Sequence, residues 1–238
     1  MPKTIDLENW DEVEPRSVFV SREATLEMVV RLAYNLPGNI IEFGVAKGGS
    51  TRIIRRIATE CEKRFPDKKT IYACDSWKGL SEKFENAEVG TFAGEPPKIK
   101  GVNLVEGYFE DSLTDELAAT VGPVAFASLD ADLYSSTLCV LNWLTPLLSS
   151  GSLLLFDEFI GEKESEKRAF EDWSQTTGVQ SLKIADFIRE PSGWGSAVDR
   201  RALFQIIDKE AISRQSQKKK SVLQKAVREA SRIFRSTS

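Results

Sequence analysis

The sequence contains no histidine, and this absence limits its chemistry more than any other feature of its composition. Without imidazole, the chain alone cannot form a Ser–His–Asp triad, and it lacks the usual ligand of zinc, copper and non-haem iron. A general base must therefore be Asp, Glu, Lys, Tyr or Cys. A bound metal ion would need oxygen ligands, as Mg²⁺, Ca²⁺ and Mn²⁺ do.

Cysteines and long apolar runs are also scarce. Cys61, Cys74 and Cys139 are odd in number and far apart, which matches neither a disulfide framework nor a zinc-binding spacing, so we expect buried thiols. No apolar run approaches the ~20 residues that span a bilayer, and the N-terminal sequence MPKTIDLENW is acidic where a signal peptide is basic. These features predict a cytoplasmic protein without a transmembrane segment.

Charge is divided unevenly along the chain. Residues 209–238 carry nine Lys or Arg and two Glu, which gives them a local charge of +7. Because the whole chain has a net charge of −4, residues 1–208 carry a charge of −11. Apolar residues at helical spacing in 213–235 predict a basic amphipathic helical tail on a single domain, residues 1–208. The tail could pack on its own domain, pair with a second protomer, or contact an acidic partner or membrane surface. Nucleic-acid binding is not expected, because aromatic residues do not alternate with the basic ones.

Short β-rich apolar segments alternate with amphipathic helical segments along residues 1–208, which is typical of an α/β fold. The pattern predicts a doubly wound, mostly parallel seven-stranded sheet with helices on both faces. The predicted strands are 39–43, 70–74, 102–105, 124–129, 152–156, 182–188 and 202–207. The predicted helices are 21–36, 49–65, 113–120, 135–148 and 162–177. A long polar stretch, residues 81–101, predicts a lid.

Polar residues follow the predicted strands at their carboxyl ends, where doubly wound sheets bind ligands. Residues 42–50 are rich in small side chains, which would admit a ligand to the backbone and to a helix N-terminus. Their glycine spacing matches neither the dinucleotide fingerprint nor the P-loop, and a plain strand-to-helix turn is the alternative. Asp75 could accept hydrogen bonds from ribose hydroxyls or cap a helix. Residues 106–113 could lie beside a purine or form a capped loop.

Carboxylates collect after the fourth and fifth predicted strands. Asp130 and Asp132 follow the fourth strand, and Asp157 and Glu158 follow the fifth. Because grouped acids are costly to bury, this cluster implies a cation, raised pKa values or full solvation. In a chain without histidine, Mg²⁺ held by Asp130, Asp157 and Glu158 is the natural partner. Alternatively, the last two acids favour the start of the next helix.

These segments resemble the class I S-adenosylmethionine-dependent methyltransferases. Within that class they are similar to the macrocin O-methyltransferase family, which modifies sugar hydroxyls of natural products. The likeness covers residues 20–173. It rests on four motifs: EFGV from Glu42 with Gly48 and Ser50, DSWKGL from Asp75, Gly107 with Phe109, Asp111 and Leu113, and DADLYSST from Asp130. The last motif is the most specific.

The resemblance implies a Rossmann-like methyltransferase fold, the cofactors S-adenosylmethionine and Mg²⁺, and a small-molecule hydroxyl acceptor. It places Mg²⁺ on Asp130, Asp157 and Glu158, and it makes Asp130 and Asp132 catalytic, with Asp132 as a candidate base. Contacts with S-adenosylmethionine are implied at Glu42, Phe43, Gly44, Gly48, Ser50, Asp75, Ser76, Asp111, Ser112 and Asp130. The sequence departs from the family at Glu158, where Asp is usual, and at Trp77, where Phe is usual.

The sequence thus predicts an S-adenosylmethionine-dependent, Mg²⁺-assisted O-methyltransferase that acts on a hydroxyl of a sugar or other small natural product. A catechol-type acceptor is an alternative, because catechols and sugar diols chelate a metal alike. A non-catalytic S-adenosylmethionine-binding protein is a second alternative. A nicotinamide oxidoreductase is disfavoured by the glycine spacing after the first strand and by the acids after the fourth and fifth.

Overall fold

The structure is a computed structural model that describes residues 18–19, 21–84, 87–160, 165–188 and 200–207. The predicted basic tail, residues 209–238, and its predicted role in oligomerisation lie outside the described residues. Among the helices that are described, none has both the length and the apolar character needed to cross a membrane.

The described part of the chain forms eight strands and six α-helices. The strands are β1 (Val18–Phe19), β2 (Asn39–Phe43), β3 (Ile71–Asp75), β4 (Asn103–Glu106), β5 (Val124–Leu129), β6 (Leu148–Ile160), β7 (Gln180–Ile188) and β8 (Arg200–Ile207). The helices are α1 (Arg22–Ala33), α2 (Gly49–Cys61), α3 (Phe109–Ser112), α4 (Asp115–Val121), α5 (Tyr134–Leu144) and α6 (Ser165–Thr177).

The strands form one sheet in the order β1-β7-β8-β6-β5-β2-β3-β4. All neighbouring pairs are parallel except those of β8, which runs antiparallel to both β6 and β7. The predicted doubly wound, mostly parallel sheet is confirmed. The two-residue strand β1 adds an edge to the seven predicted strands, and it is too short to give a period-two signal in the sequence.

Apolar layers cover both faces of the sheet, because alternate residues of a strand point to opposite sides. Ile40 and Phe126 pack under α1 and α2, whereas Ile41 and Ala127 pack under α5 and α6. All six residues of β5 are buried. This double burial explains why the central strands are continuous apolar runs in the sequence.

Two boundary differences affect the site. The predicted helix 135–148 ends earlier, at Leu144, and continues as one 3-10 turn, Thr145–Leu147, because Pro146 cannot donate the hydrogen bond that an α-helix interior needs. Strand β6 continues to Ile160, beyond the predicted end at Phe156. Asp157 and Glu158 therefore lie within a strand and not in the loop that follows it.

Candidate active site

The predicted site residues gather at one edge of the sheet. Strands β6, β5, β2, β3 and β4 are consecutive neighbours, and all five run parallel, so their carboxyl ends meet at the same edge. The candidate residues of the motifs after each strand are thereby brought together from distant parts of the sequence. We call this edge the carboxyl rim.

The turn after β2 touches the loop after β5. The Asp130 amide donates to the Phe43 carbonyl at 2.9 Å. Gly44 has φ +83°, and a Cβ built there would lie 1.8 Å from the Asp130 carbonyl oxygen. Only glycine fits this position, and its conformation brings the two segments into contact.

Helix α2 begins at the carboxyl rim without a side-chain cap. Its N-cap residue is Gly48, at φ 75° in the left-handed region, and no side chain accepts a hydrogen bond from the first turn. A Cβ on Gly49 would meet no atom within 4 Å. The first amides of this 13-residue helix are therefore suited to binding an anionic group.

Asp75 holds two turns of the rim together. Its Oδ2 accepts hydrogen bonds from the amides of Val45 and Ala46 at 2.7 and 2.8 Å, and its Oδ1 accepts from the Trp77 amide at 2.8 Å. Trp77 in turn donates its indole N–H to the Ala46 carbonyl at 2.9 Å. These bonds use three of the roughly four lone pairs of the carboxylate, so a ribose contact would have to share it. Ser76 also has a local role, since its hydroxyl donates to the Gly79 carbonyl.

Glu42 lies beneath the turn and is 1% exposed. Thr51 donates its hydroxyl to Oε2 of Glu42 at 2.5 Å. Burial raises the pKa of Glu42 to about 7, although hydrogen bonds from Ser50 and Thr51 act in the opposite direction. The next residue, Phe43, points its ring into the core between Phe109 and Trp143, at centroid distances of 5.7 and 6.2 Å. A ligand at the rim could therefore meet Phe43 only through its backbone.

The segment after β4 lies beside Asp75. The Gly107 amide donates to the Asp75 carbonyl at 3.0 Å. Asp111 is exposed on the four-residue helix α3, and Ser112 donates its hydroxyl to the Gly107 carbonyl at 3.3 Å. Both residues thus belong to the carboxyl rim, as the sequence predicts.

Asp130 and Asp157 share a guanidinium group. Nη2 of Arg22 lies 2.5 Å from Oδ2 of Asp157 and 3.4 Å from Oδ2 of Asp130. Nε of Arg201 lies 2.5 Å from the other oxygen of Asp157. Desolvation, together with the charges of Asp157 and Asp132, raises the pKa of Asp130 despite the opposing effect of Arg22.

These residues do not fit the predicted Mg²⁺ ion as they are arranged. Both oxygens of Asp157 and Oδ2 of Asp130 accept hydrogen bonds from arginine. In the part of the chain that is described, no group of three potential ligands is placed to hold a metal ion. The adjoining cavity has a volume of about 10 Å³, room for about one water molecule, whereas Mg²⁺ usually keeps several waters.

Sequence reasoning missed Arg22 and Arg201. The spacing of each arginine from a buried residue of the same element could have identified both. Arg22 is four residues before the buried Leu26 on α1, and Arg201 is two residues before the buried Leu203 on β8. Each arginine therefore lies on the buried face of its element, where an unpaired charge would be costly.

Glu166 was missed as well. It is 1% exposed, and its two oxygens accept hydrogen bonds from the amides of Ala131 and Glu158, at 3.3 and 3.0 Å. Burial raises the pKa of Glu166, and the charge of Asp130 raises it further. Glu166 shares a helical face with Ala169, a spacing that marks it as buried. It joins the loop after β5 to the end of β6.

Asp132 has a left-handed backbone. Its φ of 55° is unusual for a residue other than glycine, although aspartate tolerates it better than most. Residues held in this region concentrate at functional sites. Asp132 follows Ala131, whose amide donates a hydrogen bond to Glu166, and this bond holds the strained loop in place.

The loop that is predicted as a lid spans part of the rim. Residues 85–86 of it lie outside the described residues. Glu82 accepts a hydrogen bond from Ser135, at the start of α5, at 2.8 Å. Pro97 and Ile99 lie against Gly48, at the start of α2. The loop thus contacts the segments that follow both β2 and β5, and a closing motion remains a prediction.

Comparison with known proteins identifies a family and several relatives. Residues 41–159 match a family described as a methyltransferase domain. The 8-demethyl-8-(2,3-dimethoxy-alpha-L-rhamnosyl)-tetracenomycin-C 4'-O-methyltransferase of Streptomyces olivaceus is 26% identical over 175 residues, which cover 63% of this chain and 65% of that protein. The demethyldecarbamoylnovobiocin O-methyltransferase of Streptomyces niveus is 25% identical over 148 residues, which cover 53% of this chain and 54% of that protein. The chain thus matches less than two thirds of the length of either relative.

Solved structures show the same fold. The O-methyltransferase NovP superposes with a TM-score of 0.61 at 19% identity, over 79% of this chain and 80% of that one. The calicheamicin methyltransferase CalS11 gives a TM-score of 0.60 at 20% identity, over 77% of each chain. The predicted Rossmann-like methyltransferase fold is confirmed.

Proposed function

The chain belongs to the methyltransferase domain family that its residues 41–159 match, and from this we propose that it is an S-adenosylmethionine-dependent O-methyltransferase. Its acceptor, in this proposal, is a hydroxyl group of a sugar or another small natural product. The observation that carries the proposal is the contact between the turn after β2 and the loop after β5. There, Gly44 faces the Asp130 carbonyl with no room for a side chain.

That contact supports the assignment because it places the turn that would hold the cofactor beside the loop that carries the candidate base. The uncapped start of α2, with open space at Gly49, fits the carboxylate of an amino-acid moiety. We assign the cofactor contacts at the rim as the sequence predicts them: Glu42, the Phe43 backbone, Gly44, Gly48, Ser50, Asp75, Ser76, Asp111, Ser112 and Asp130. When bound, S-adenosylmethionine supplies an electrophilic methyl group, and the acceptor hydroxyl must lose a proton.

Asp132 is our candidate for accepting that proton. It lies on the loop that touches the β2 turn, and its strained backbone is held in place through its neighbour Ala131. Asp130 lies on the same loop, but Arg22 holds its carboxylate. From its position on this loop and its left-handed backbone, we assign the base to Asp132, with Asp130 as a positioning residue beside it.

The names of the two relatives support the acceptor class. One is named as a 4'-O-methyltransferase of a rhamnosyl tetracenomycin, and the other as an O-methyltransferase of a novobiocin precursor. The proposed reaction does not include the predicted Mg²⁺ ion, because the arrangement of Asp130, Asp157 and Glu158 does not fit it. The catechol-type acceptor and the non-catalytic binding protein remain the alternatives.

Calorimetric titration of the whole protein with S-adenosylmethionine and S-adenosylhomocysteine tests the first half of the proposal. We expect micromolar binding of both, and absence of binding would contradict the proposal. Transfer of labelled methyl groups to a panel of sugars, glycosylated natural products and catechols tests the second half. Binding without transfer to any of them would favour the non-catalytic alternative.

Replacing Asp132 with Asn tests the base. Asparagine accepts the left-handed backbone readily, so the fold should be retained. We expect kcat to fall about 100-fold or more while the affinity for S-adenosylhomocysteine is unchanged. Asp67→Asn, in an exposed turn remote from the rim, is the matched control and should leave kcat as it is. Equal turnover in the Asp132→Asn and control variants would remove Asp132 from this role.

A further inference from the structure

One carboxylate at the rim lies between two arginines that come from opposite ends of the domain. Asp157 is 8% exposed, and each of its oxygens receives a different guanidinium, from Arg22 on α1 and from Arg201 on β8. Arg22 also reaches Asp130 with the same nitrogen, Nη2. The formal charges of these two acids and two arginines cancel.

Arg201 fixes one half of this cluster. It is 3% exposed, and within the described residues its Nη1 has no hydrogen-bond partner. Its charge therefore depends on Asp157. If a divalent cation bound Asp157 in place of the arginines, Arg201 would become a buried charge beside a second positive charge, which is strongly unfavourable.

Arg22 forms the other half and is the more accessible of the two, because 36% of its side chain is exposed. Its described hydrogen bonds use Nη2 alone. A cation that bound Asp157 would have to displace an arginine, since both oxygens of Asp157 accept hydrogen bonds from arginine. The adjoining cavity is also small, about 10 Å³, and its polar lining includes Arg22, Glu42, Ser50, Ser128, Asp130 and Arg201.

We propose that Arg22 is a built-in cation of the carboxyl rim, which neutralises Asp130 and Asp157 in place of a divalent metal ion and excludes that ion while it is bound there. Arg22 then orients the Asp130 carboxylate, as a metal would, and the loop that carries Asp132 is held without a metal. The consequence for catalysis, which rests on the proposed function, is that methyl transfer continues in the presence of a chelator. The consequence for metal binding does not depend on that function.

The direct test is a titration of the whole protein with Mg²⁺ and with Mn²⁺, followed by calorimetry and by thermal unfolding, without methyl donor or acceptor. We expect no saturable heat and no shift in Tm for the wild type, in either metal or in EDTA. Arg22→Gln removes the cation and keeps much of the side chain. This variant should have a lower Tm in EDTA, bind Mn²⁺ at least about tenfold more tightly than the wild type, and regain Tm in either metal.

Arg56 provides the matched control. It bridges two acids, Glu23 on α1 and Glu60 on α2, but on the exposed surface. Arg56→Gln should bind metal no better than the wild type. In the double variant that adds Asp157→Asn to Arg22→Gln, the gained metal binding should disappear.

Saturable metal binding by the wild type that is lost on Asp157→Asn would overturn the proposal. An Arg22→Gln variant that folds and binds no more metal than the wild type would overturn it as well. If Arg22→Gln folds only when Mg²⁺ is added, the proposal is supported. If it does not fold with or without Mg²⁺, the wild-type titration decides. A failure of S-adenosylhomocysteine to bind would contradict the proposed function alone, since the metal titration uses no nucleotide.

Discussion

Replacing Glu42 with Gln should stabilise the protein at alkaline pH more than at acidic pH. Glu42 is 1% exposed beneath the β2 turn, and burial raises its pKa from 4.5 to about 7. The folded state therefore holds the proton more tightly than the unfolded chain. The stability that comes from this proton is fully present below about pH 4.5 and is lost as the pH rises through about 7.

The size of the effect follows from that window. At 1.36 kcal/mol per pKa unit, we expect the difference in unfolding free energy between Glu42→Gln and wild type to grow by about 2 to 3 kcal/mol from near pH 5 to near pH 8. Glutamine stays neutral, and its carbonyl can still accept the hydrogen bond from Thr51. Comparing the variant with the wild type at each pH removes the contributions of other buried acids, which both proteins share.

Urea unfolding followed by tryptophan fluorescence at the two pH values measures this difference. Glu60→Gln is the control, because hydrogen bonds from Arg31 lower the pKa of Glu60, so that it titrates mostly below this range. Its effect on stability should be nearly the same at both pH values. If Glu42→Gln also shows the same effect at both, then Glu42 does not titrate between them and the argument from its burial is refuted.

Two further substitutions test the framework of the rim. Glu166→Ala leaves two amides at the rim without their acceptor and should lower the unfolding free energy by about 2 to 4 kcal/mol. Glu171→Ala, exposed on the same helix, should change the unfolding free energy little. Equal losses of the two variants in urea unfolding would remove Glu166 from this role. Gly44→Ala would press a methyl group onto a backbone carbonyl at φ +83° and should cost about 3 kcal/mol or more, or prevent folding. Gly94→Ala, where a Cβ meets no atom within 4 Å, should stay within about 1 kcal/mol of wild type, and comparable stability of the two glycine variants would contradict the contact.

The central sheet could be predicted from the sequence because its strands are buried on both faces. Strands β2 and β5 have the predicted bounds, Asn39–Phe43 and Val124–Leu129, since turn residues bound each apolar run. The edges were harder to predict. Strand β1 has two residues, and β6 continues through two acids, Asp157 and Glu158, that look like a loop in a one-dimensional pattern.

The site could be predicted in its location but not in its charge pairing. Parallel strands place their carboxyl ends together, so Glu42, Asp75 and Asp130 were expected at one rim, and the structure brings them there. The arginines that pair with Asp130 and Asp157 come from α1 and β8, which carry none of the predicted motifs. Arg22 and Arg201 are 179 positions apart, and nothing in their local sequence marks them as a pair. Hydrogen bonding by Asp75 to three backbone amides likewise depends on tertiary structure.

The position of β8 has a consequence for how the chain folds during synthesis. Strand β8 inserts between β6 and β7, and it also supplies Arg201 to Asp157. During synthesis β6 therefore has an open edge, and Asp157 has Arg22 but not Arg201 as its partner, until residues 200–207 emerge. An open strand edge of this kind favours pairing with strands of other chains. The last strand of the described residues thus closes the sheet and supplies the second arginine of Asp157 in a single event.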